Sequence, residues 1–329
     1  MITIINLAMP FFGLIVLGLI ASRVFGKPGR DLYWLNIFVV YFALTALIFR
    51  TIAAAPFEQL IAWPFFTATT LATYLAFIIP LGVSMLVLGT GISRAAIQGM
   101  AASYGNIGYM GLPLAVAFFG SEAVVPAVLI FCFDNILQFT LTPMLVALGH
   151  SRARQLSAGR LSVHVVWSII THPFIVATLL GGIASAVTFL RPELAASVLD
   201  MPGVAVIAQM LEILSRAAGP VALFALGVTV GMRRFAGIGT EFPMLVAFKL
   251  VVHPLLAYAM LTLVGGVDPL WLHVALMMAA LPTAANVFVL ASQYRTYIEG
   301  ASSSILVSTL LSAFTIPVLI YAIKSGLIP

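Results

Sequence analysis

The sequence predicts an all-α integral membrane protein: ten transmembrane helices in two inverted five-helix repeats, with helices four and nine broken at mid-membrane. Three observations carry this expectation. Hydrophobic residues make up 62% of the chain and charged residues 8%, against about 25% charged in an ordinary soluble domain, so lipid must be the solvent for most side chains. Short motifs recur in the same order in the two halves. Two apolar stretches at corresponding places are interrupted by glycine, asparagine and proline.

On a ruler of about 20 apolar residues per span, ten spans run over 2–22, 32–54, 63–89, 93–119, 123–148, 163–189, 205–231, 242–264, 269–294 and 300–325. The first has no positively charged leader and is long enough to span, so it reads as a helix rather than a cleaved signal. The longest connections, 149–162 and 191–204, leave no sizeable soluble domain. Loops after odd-numbered spans hold Arg23, Lys27, Arg30, Arg94, Arg152, Arg154, Arg160, Arg233, Arg234 and Arg295. The opposite side holds only Arg50, Arg191, Arg216 and Lys324. The excess of basic residues makes the odd loops cytoplasmic and places both termini outside, as expected for a cell (inner) membrane protein. The net charge of +5 therefore reads as topology rather than nucleic-acid affinity.

Negative evidence narrows the chemistry. Cys132 is the single cysteine, which excludes an internal disulfide and any cysteine-based metal cluster. No phosphate-binding glycine loop with its lysine, no metal-ligand spacing and no nucleophile elbow occurs. Neither a cofactor nor enzymatic chemistry is expected.

The repeat rests on three matches. Pro10-Phe11 followed by Gly18 to Ser22 in span one returns in span six as Pro173-Phe174 followed by Gly182 to Ser185, with the same proline-to-serine spacing. Phe139-Thr140-Leu141-Thr142-Pro143 in span five is echoed by Phe314-Thr315-Ile316-Pro317 in span ten, and Ala43 to Leu47 in span two by Ala222 to Leu226 in span seven. Five spans per half give the halves opposite orientation. Such repeats are a common plan for secondary transporters, because the halves exchange conformations and expose one site alternately.

Spans four and nine are the broken ones. Span four reads Ser103-Tyr104-Gly105-Asn106-Ile107-Gly108-Tyr109-Met110-Gly111-Leu112-Pro113, and span nine Ala280-Leu281-Pro282-Thr283-Ala284-Ala285-Asn286. Neither sustains a regular helix. Unwound backbone is tolerated in a bilayer only beside protein or a wet cavity. Proline suits the first turn of a helix, so Pro113 and Pro282 are expected to start second half-helices whose free amides meet near the midplane and cradle an anion. Asn106 and Asn286 stand beside the breaks, either in that cradle or as hydrogen-bonding glue between helices. One break would be an ordinary kink; two at equivalent places point to a site.

Ionisable groups at membrane depth are expensive and usually functional. Asp134, followed by Asn135, lies near the centre of span five. Lys249 lies in span eight, with His253 one turn later. Either the pair takes part in ion coupling, or it is a static salt bridge or a lysine that snorkels to the surface. His172 and His253 each precede a proline and read as capped or interfacial residues. Glu58, Glu122 and Asp268 fall in outward loops and are expected to be solvated. Met277-Met278 reads as packing.

The stretch from Ala102 to Gly120, the run Leu281 to Ala291, and the segments Pro10 to Ser22 and Pro173 to Ser185 resemble the auxin efflux carrier family in its bacterial branch. Thr45 departs from a proline common in relatives, and the large cytoplasmic loop of long plant members is missing. The resemblance implies a fold like that of bile-acid symporters and sodium/proton antiporters, with crossed broken helices. Residues 1–54 and 163–231 would then form a scaffold and a homodimer contact, and 63–148 and 242–325 a moving transport domain. It also implies a substrate site at Asn106, Pro113, Pro282 and Asn286 with their neighbours Tyr104, Gly105, Gly108, Gly111, Leu112 and Thr283. Asp134 and Lys249, with Asn135 and His253 beside them, occupy spans that carry coupling groups in related antiporters.

The expected function is a carrier of a small organic anion, a carboxylate such as malonate, malate or an auxin-like acid. It would work by elevator-type alternating access, with proton linkage as one form of coupling. Its partners are that anion and membrane lipid, not nucleic acid. The rivals are a sodium-coupled symporter of the bile-acid class and a non-transporting sensor or channel.

Overall fold

The computed structural model describes residues 2–25, 30–60, 62–149, 167, 171–232, 239 and 241–328. Of the loop cations read for topology, Lys27, Arg152, Arg154, Arg160, Arg233 and Arg234 lie outside the described residues, as does most of the first turn and a half of span six. The described chain is helical, and its one β-type pairing is an isolated bridge.

In chain order, α1 is Ile2–Val24, α2 Leu32–Ala54, α3 Trp63–Leu86, α4 Ile92–Ser103, α5 Ile107–Phe119 and α6 Val124–Gly149. Then come α7 Pro173–Leu190, the short α8 Pro192–Leu199, α9 Val204–Gly231, α10 Phe242–Val264, α11 Pro269–Ala279, α12 Asn286–Gln293 and α13 Ile298–Lys324. Among the described residues seven helices, namely α2, α3, α6 with its leading turn, α7, α9, α10 and α13, are long and apolar enough to cross a membrane. The apolar part of α1, α5 and α11 are shorter. Large apolar side chains face outward along these helices, among them Leu179, Leu180 and Ile183 of α7 and Ile207, Met210 and Ile213 of α9. In water such a surface would aggregate; in lipid it is solvated.

Where lipid is the solvent, helix association depends on close backbone approach rather than on expelling water. The seam between α1 and α9 is built that way. A Cβ placed on Gly18 would collide with the Phe224 carbonyl, one on Gly227 with the Ile15 carbonyl, and one on Gly231 with the Ser22 hydroxyl. α2 and α7 meet similarly at Gly181, where a Cβ would lie 2.9 Å from Ile52 Cβ, and the Ser185 hydroxyl donates to the Ala55 carbonyl across the same seam, 2.8 Å. α2 also packs on α9, with Arg50 donating to Ser215 Oγ at 2.9 Å. A second set packs together: α3 on α4 and α10, α4 on α6, and α10 on α11.

Three helical stretches widen into π turns: Phe38–Ala43 in α2, Ile107–Gly111 opening α5, and Phe248–Val252 in α10. Such turns disrupt the regular backbone ladder and cluster at functional sites. All three converge on the two breaks.

Candidate functional site

The chain leaves helix twice, at Tyr104–Asn106 between α4 and α5 and at 280–285 between α11 and α12. Each break frees backbone groups that a membrane interior cannot leave unpaired. The two segments satisfy each other. Asn106 N–H donates to the Pro282 carbonyl at 2.8 Å, Ala284 N–H donates to the Tyr104 carbonyl at 3.0 Å, and Gly105 faces Thr283 in an antiparallel bridge. Thr283 ties down the remainder: its N–H donates to Ser308 Oγ at 3.0 Å and its hydroxyl to the Ala101 carbonyl at 2.8 Å.

This pairing moves the half-helix starts. The second halves begin at Ile107 and Asn286: Pro113 stands in the first turn of the regular α-helix Leu112–Phe119, which the π turn precedes, whereas Pro282 lies ahead of α12. Pro282 is held in the extended bridge by its carbonyl's bond to Asn106. Pro113 follows a π turn whose Met110 and Gly111 amides both donate to the Asn106 carbonyl. The wide turn keeps the glycine-rich segment helical ahead of the proline.

The breaks border a cavity of about 150 Å³. Tyr104, Gly105, Asn106, Gly108 and Asn286 line it, together with Tyr109, Phe131, His172 and Phe174. Of the remaining expected substrate residues, Gly111, Leu112, Pro113, Pro282 and Thr283 stand behind this wall. Gly111 is a packing position: a Cβ there would lie 2.6 Å from Leu281 Cδ1 and 2.8 Å from Met278 Sδ. Leu112 is fully buried in the core.

Among the described residues no acidic side chain lines the cavity, whereas the first turns of α5 and α12 open onto it, carrying the positive ends of two helix dipoles. Asn106 is 3% exposed and its Nδ2 has no hydrogen-bond partner among the described residues. A buried amide donor without a partner costs roughly 1–3 kcal/mol, so it marks a place where a bound acceptor belongs. Tyr104 is fixed by its hydroxyl, which donates to Asn135 Oδ1 at 2.8 Å and lies 3.5 Å from Asn286 Nδ2. Asn135 donates in turn to the Phe131 carbonyl. Asn135 thus holds the cavity wall rather than facing Lys249.

Behind Gly105 lies the ionisable group. Lys249 is fully buried, and its Nζ donates to the Ala279 carbonyl at 2.5 Å and lies 3.3 Å from His253 Nδ1. Ala279 ends α11, so the ammonium sits at a negative helix terminus. His253 Nε2 is 3.4 Å from Thr73 Oγ1, and the Thr73 hydroxyl is hydrogen-bonded to Asp134. Among the described residues Asp134 and Lys249 form no direct ion pair; Thr73 and His253 connect them. His253 is therefore a buried bridging residue, not an interfacial one. Sequence reasoning missed Thr73, since a threonine among apolar residues in α3 carries no signal of what it faces. Gln138, one of the amide side chains that the sequence offers to a sodium-coupled carrier, donates from Nε2 to Ser103 Oγ at 2.7 Å at the end of α4.

A larger vestibule of about 590 Å³ lies between α2 and α9 on one side and the starts of α6 and α11 on the other. Arg50, Glu122 and Asp268 line it. Asp268 also caps α11 by accepting from Leu270 N–H at 2.8 Å.

A family model described as "Membrane transport protein" matches residues 3–320. A protein of Rhizobium meliloti (strain 1021), named "Putative malonate transporter", is 39% identical over 330 residues, an alignment covering 100% of this chain and 98% of that relative. The chain belongs to the membrane transport protein family, in the auxin efflux carrier group its broken-helix motifs resemble, and it is a membrane transporter rather than an enzyme.

Proposed function

We propose that the protein is a secondary carrier of a small carboxylate, with malonate the leading substrate. The observation that carries this reading is the buried Asn106 amide, without a partner among the described residues, in a cavity where two half-helices open and no described acidic side chain intrudes. Such an arrangement favours an anion with acceptor oxygens. The cavity is smaller than a drug-sized pocket of about 300–1,000 Å³, in keeping with a small solute. The relative's name points the same way.

The mechanism we infer is an elevator. In this reading ten spans form inverted repeats, 1–54 and 163–231 are a scaffold, 63–148 and 242–325 a transport domain, both termini lie outside the inner membrane, and a homodimer forms through the scaffold. The glycine seams within one set of helices and the separate packing of the other support two bodies. Asp134, Lys249 and His253 would carry coupling. If Lys249 donates to His253 Nδ1, the ring's proton is on Nε2 and donates to Thr73, whose hydroxyl donates to Asp134. One consistent set of hydrogen bonds then leads from the lysine to the carboxylate. The sodium-coupled alternative would draw on amide oxygens such as Gln138 Oε1, which is buried without a partner among the described residues; sodium-dependent binding to the purified protein would favour it.

The test is uptake of labelled malonate into proteoliposomes. Saturable uptake in wild type, and its loss in Asn106→Ala with the protein still folded, is expected. Large unitary currents instead of saturable flux would mean a channel.

A further inference from the structure

Most polar groups around the cavity belong to the breaks, to the opening of α5 or to α6. One does not. His172 is the N-cap of α7, and its Nδ1 accepts the Phe174 N–H at 3.3 Å. That bond uses the lone pair of Nδ1 and places the proton of the neutral ring on Nε2. No partner for Nε2 occurs among the described residues, and the side chain lines the same cavity as Asn106 and Asn286. Its orientation is set by aromatic neighbours: ring centroids lie 5.7 Å from Phe131 and 5.2 Å from Phe174. Phe174 in turn touches the first turn of α5, where a Cβ on Gly108 would lie 3.1 Å from its Cε2.

The cavity therefore has two polar regions with an aromatic wall between them. One comprises the half-helix amides with Asn106 and Asn286. The other is the His172 N–H. The remaining hydroxyl nearby is committed, since Tyr109 donates to Asn36 Oδ1 at 3.1 Å. A monocarboxylate would satisfy only the first region and leave a donor facing its hydrocarbon end. A dicarboxylate satisfies both. An N–H held in place and left unpaired by the wrong ligand is an effective discriminator.

We propose that His172 is a specificity residue that receives the second carboxylate of a dicarboxylate substrate and so selects dicarboxylates over monocarboxylates. The proposal rests on the anion site of the preceding section and adds a second subsite to it.

The test compares malonate with acetate for binding to the purified full-length carrier by thermal shift and equilibrium titration. His172→Ser keeps a side-chain oxygen able to cap α7 but withdraws the N–H from the cavity. His172→Gln restores a donor of comparable reach. We expect wild type to favour malonate by tenfold or more, His172→Ser to weaken malonate by about ten- to a hundredfold with acetate changed by less than about threefold, and His172→Gln to recover part of the loss. A purely structural role would weaken both ligands together, and that result, or an unchanged malonate-to-acetate ratio, overturns the proposal. Loss of all binding in Asn106→Ala with an unchanged ratio in the His172 variants would leave the anion site standing and remove only the second subsite. A wild-type protein that binds neither acid would remove both.

Discussion

The Nζ of Lys249 lies 3.3 Å from Nδ1 of His253, one turn along the same helix, and no acidic oxygen within ion-pair distance is described for it. A fully buried ammonium held only by a carbonyl and an imidazole is an expensive group to keep. Its charge is balanced at longer range by Asp134 through Thr73. Such a connected but unpaired arrangement suits a proton that moves better than a bridge that only orients helices. We expect Asp134→Asn to fold and to reduce malonate uptake tenfold or more, with its dependence on an imposed pH gradient abolished. Lys249→Met should behave alike, since it relieves a desolvation cost while removing the titrating group. Measurement of uptake with and without a pH gradient in proteoliposomes checks both. Full gradient dependence in Asp134→Asn would make the network structural.

Gly105 sits in the bridge that joins the two broken segments. A Cβ there would lie 3.1 Å from the Met278 carbonyl, 3.4 Å from Leu281 Cβ and 3.5 Å from Lys249 Nζ. Backbone on one side and a buried cation on the other leave little room to give. Gly105→Ala is expected to cost about 1–3 kcal/mol by overpacking and to lower the melting temperature in detergent. Because it pushes the bridge apart, transport should fall further than stability alone explains. Uptake normalised to folded protein separates the two effects.

The broken helices were legible because glycine, asparagine and proline leave a local mark in an otherwise uniform apolar pattern. Where each second half begins was not. Pro113 does stand in the first turn of a regular α-helix, but Pro282 only looks like a helix start in isolation: the bond from Asn106 to Pro282 decides which residues stay extended, and that bond joins segments far apart in the chain. The π turns left no trace for the same reason: Phe38–Ala43 and Phe248–Val252 have the composition of any membrane helix. His172 reads from its place before Pro173 as a capped or interfacial residue, and it caps α7. That the same side chain lines the cavity depends on how α7 packs against α5 and α6, and residue type does not encode that.

At the end of the site's supporting helices, Arg94 Nη2 donates to Glu241 Oε1 at 2.9 Å, while its guanidinium lies 5.2 Å from the Tyr297 ring centroid. Burial alone would push the Glu241 carboxyl up; hydrogen bonds from backbone, Arg94 and Tyr297, with the Arg94 charge, together outweigh it and hold the group below the usual carboxylate value. A depressed folded value means that the ionised form favours the folded state. Its contribution is complete above the unfolded carboxylate value and disappears as pH falls through the lower folded one. Arg94 is half exposed, so the contribution is about 1 kcal/mol or less. Glu241→Gln should therefore lower the melting temperature slightly at neutral pH, and the gap from wild type should close on acidification below the carboxylate range. Melting curves of both proteins from neutral to acid pH check this; a gap that widens on acidification would contradict the assignment.

Asn106 makes the sharpest separation between folding and function. Its Nδ2 is buried with no partner among the described residues, at a cost of roughly 1–3 kcal/mol. Its backbone, by contrast, is fully engaged: N–H to Pro282, and carbonyl from Met110 and Gly111. Replacing the side chain with one of similar size and no polar atoms should leave the backbone bridge intact and remove the unpaired donor. Asn106→Leu is therefore expected to melt at or above the wild-type temperature without ligand, yet to show no further shift with malonate and no uptake. Sites that bind ligands commonly carry such a stability cost, and removing it exposes the trade. A variant that loses stability and binding together would instead place Asn106 in the scaffolding of the crossing. A variant that keeps malonate binding would move the anion site away from the breaks.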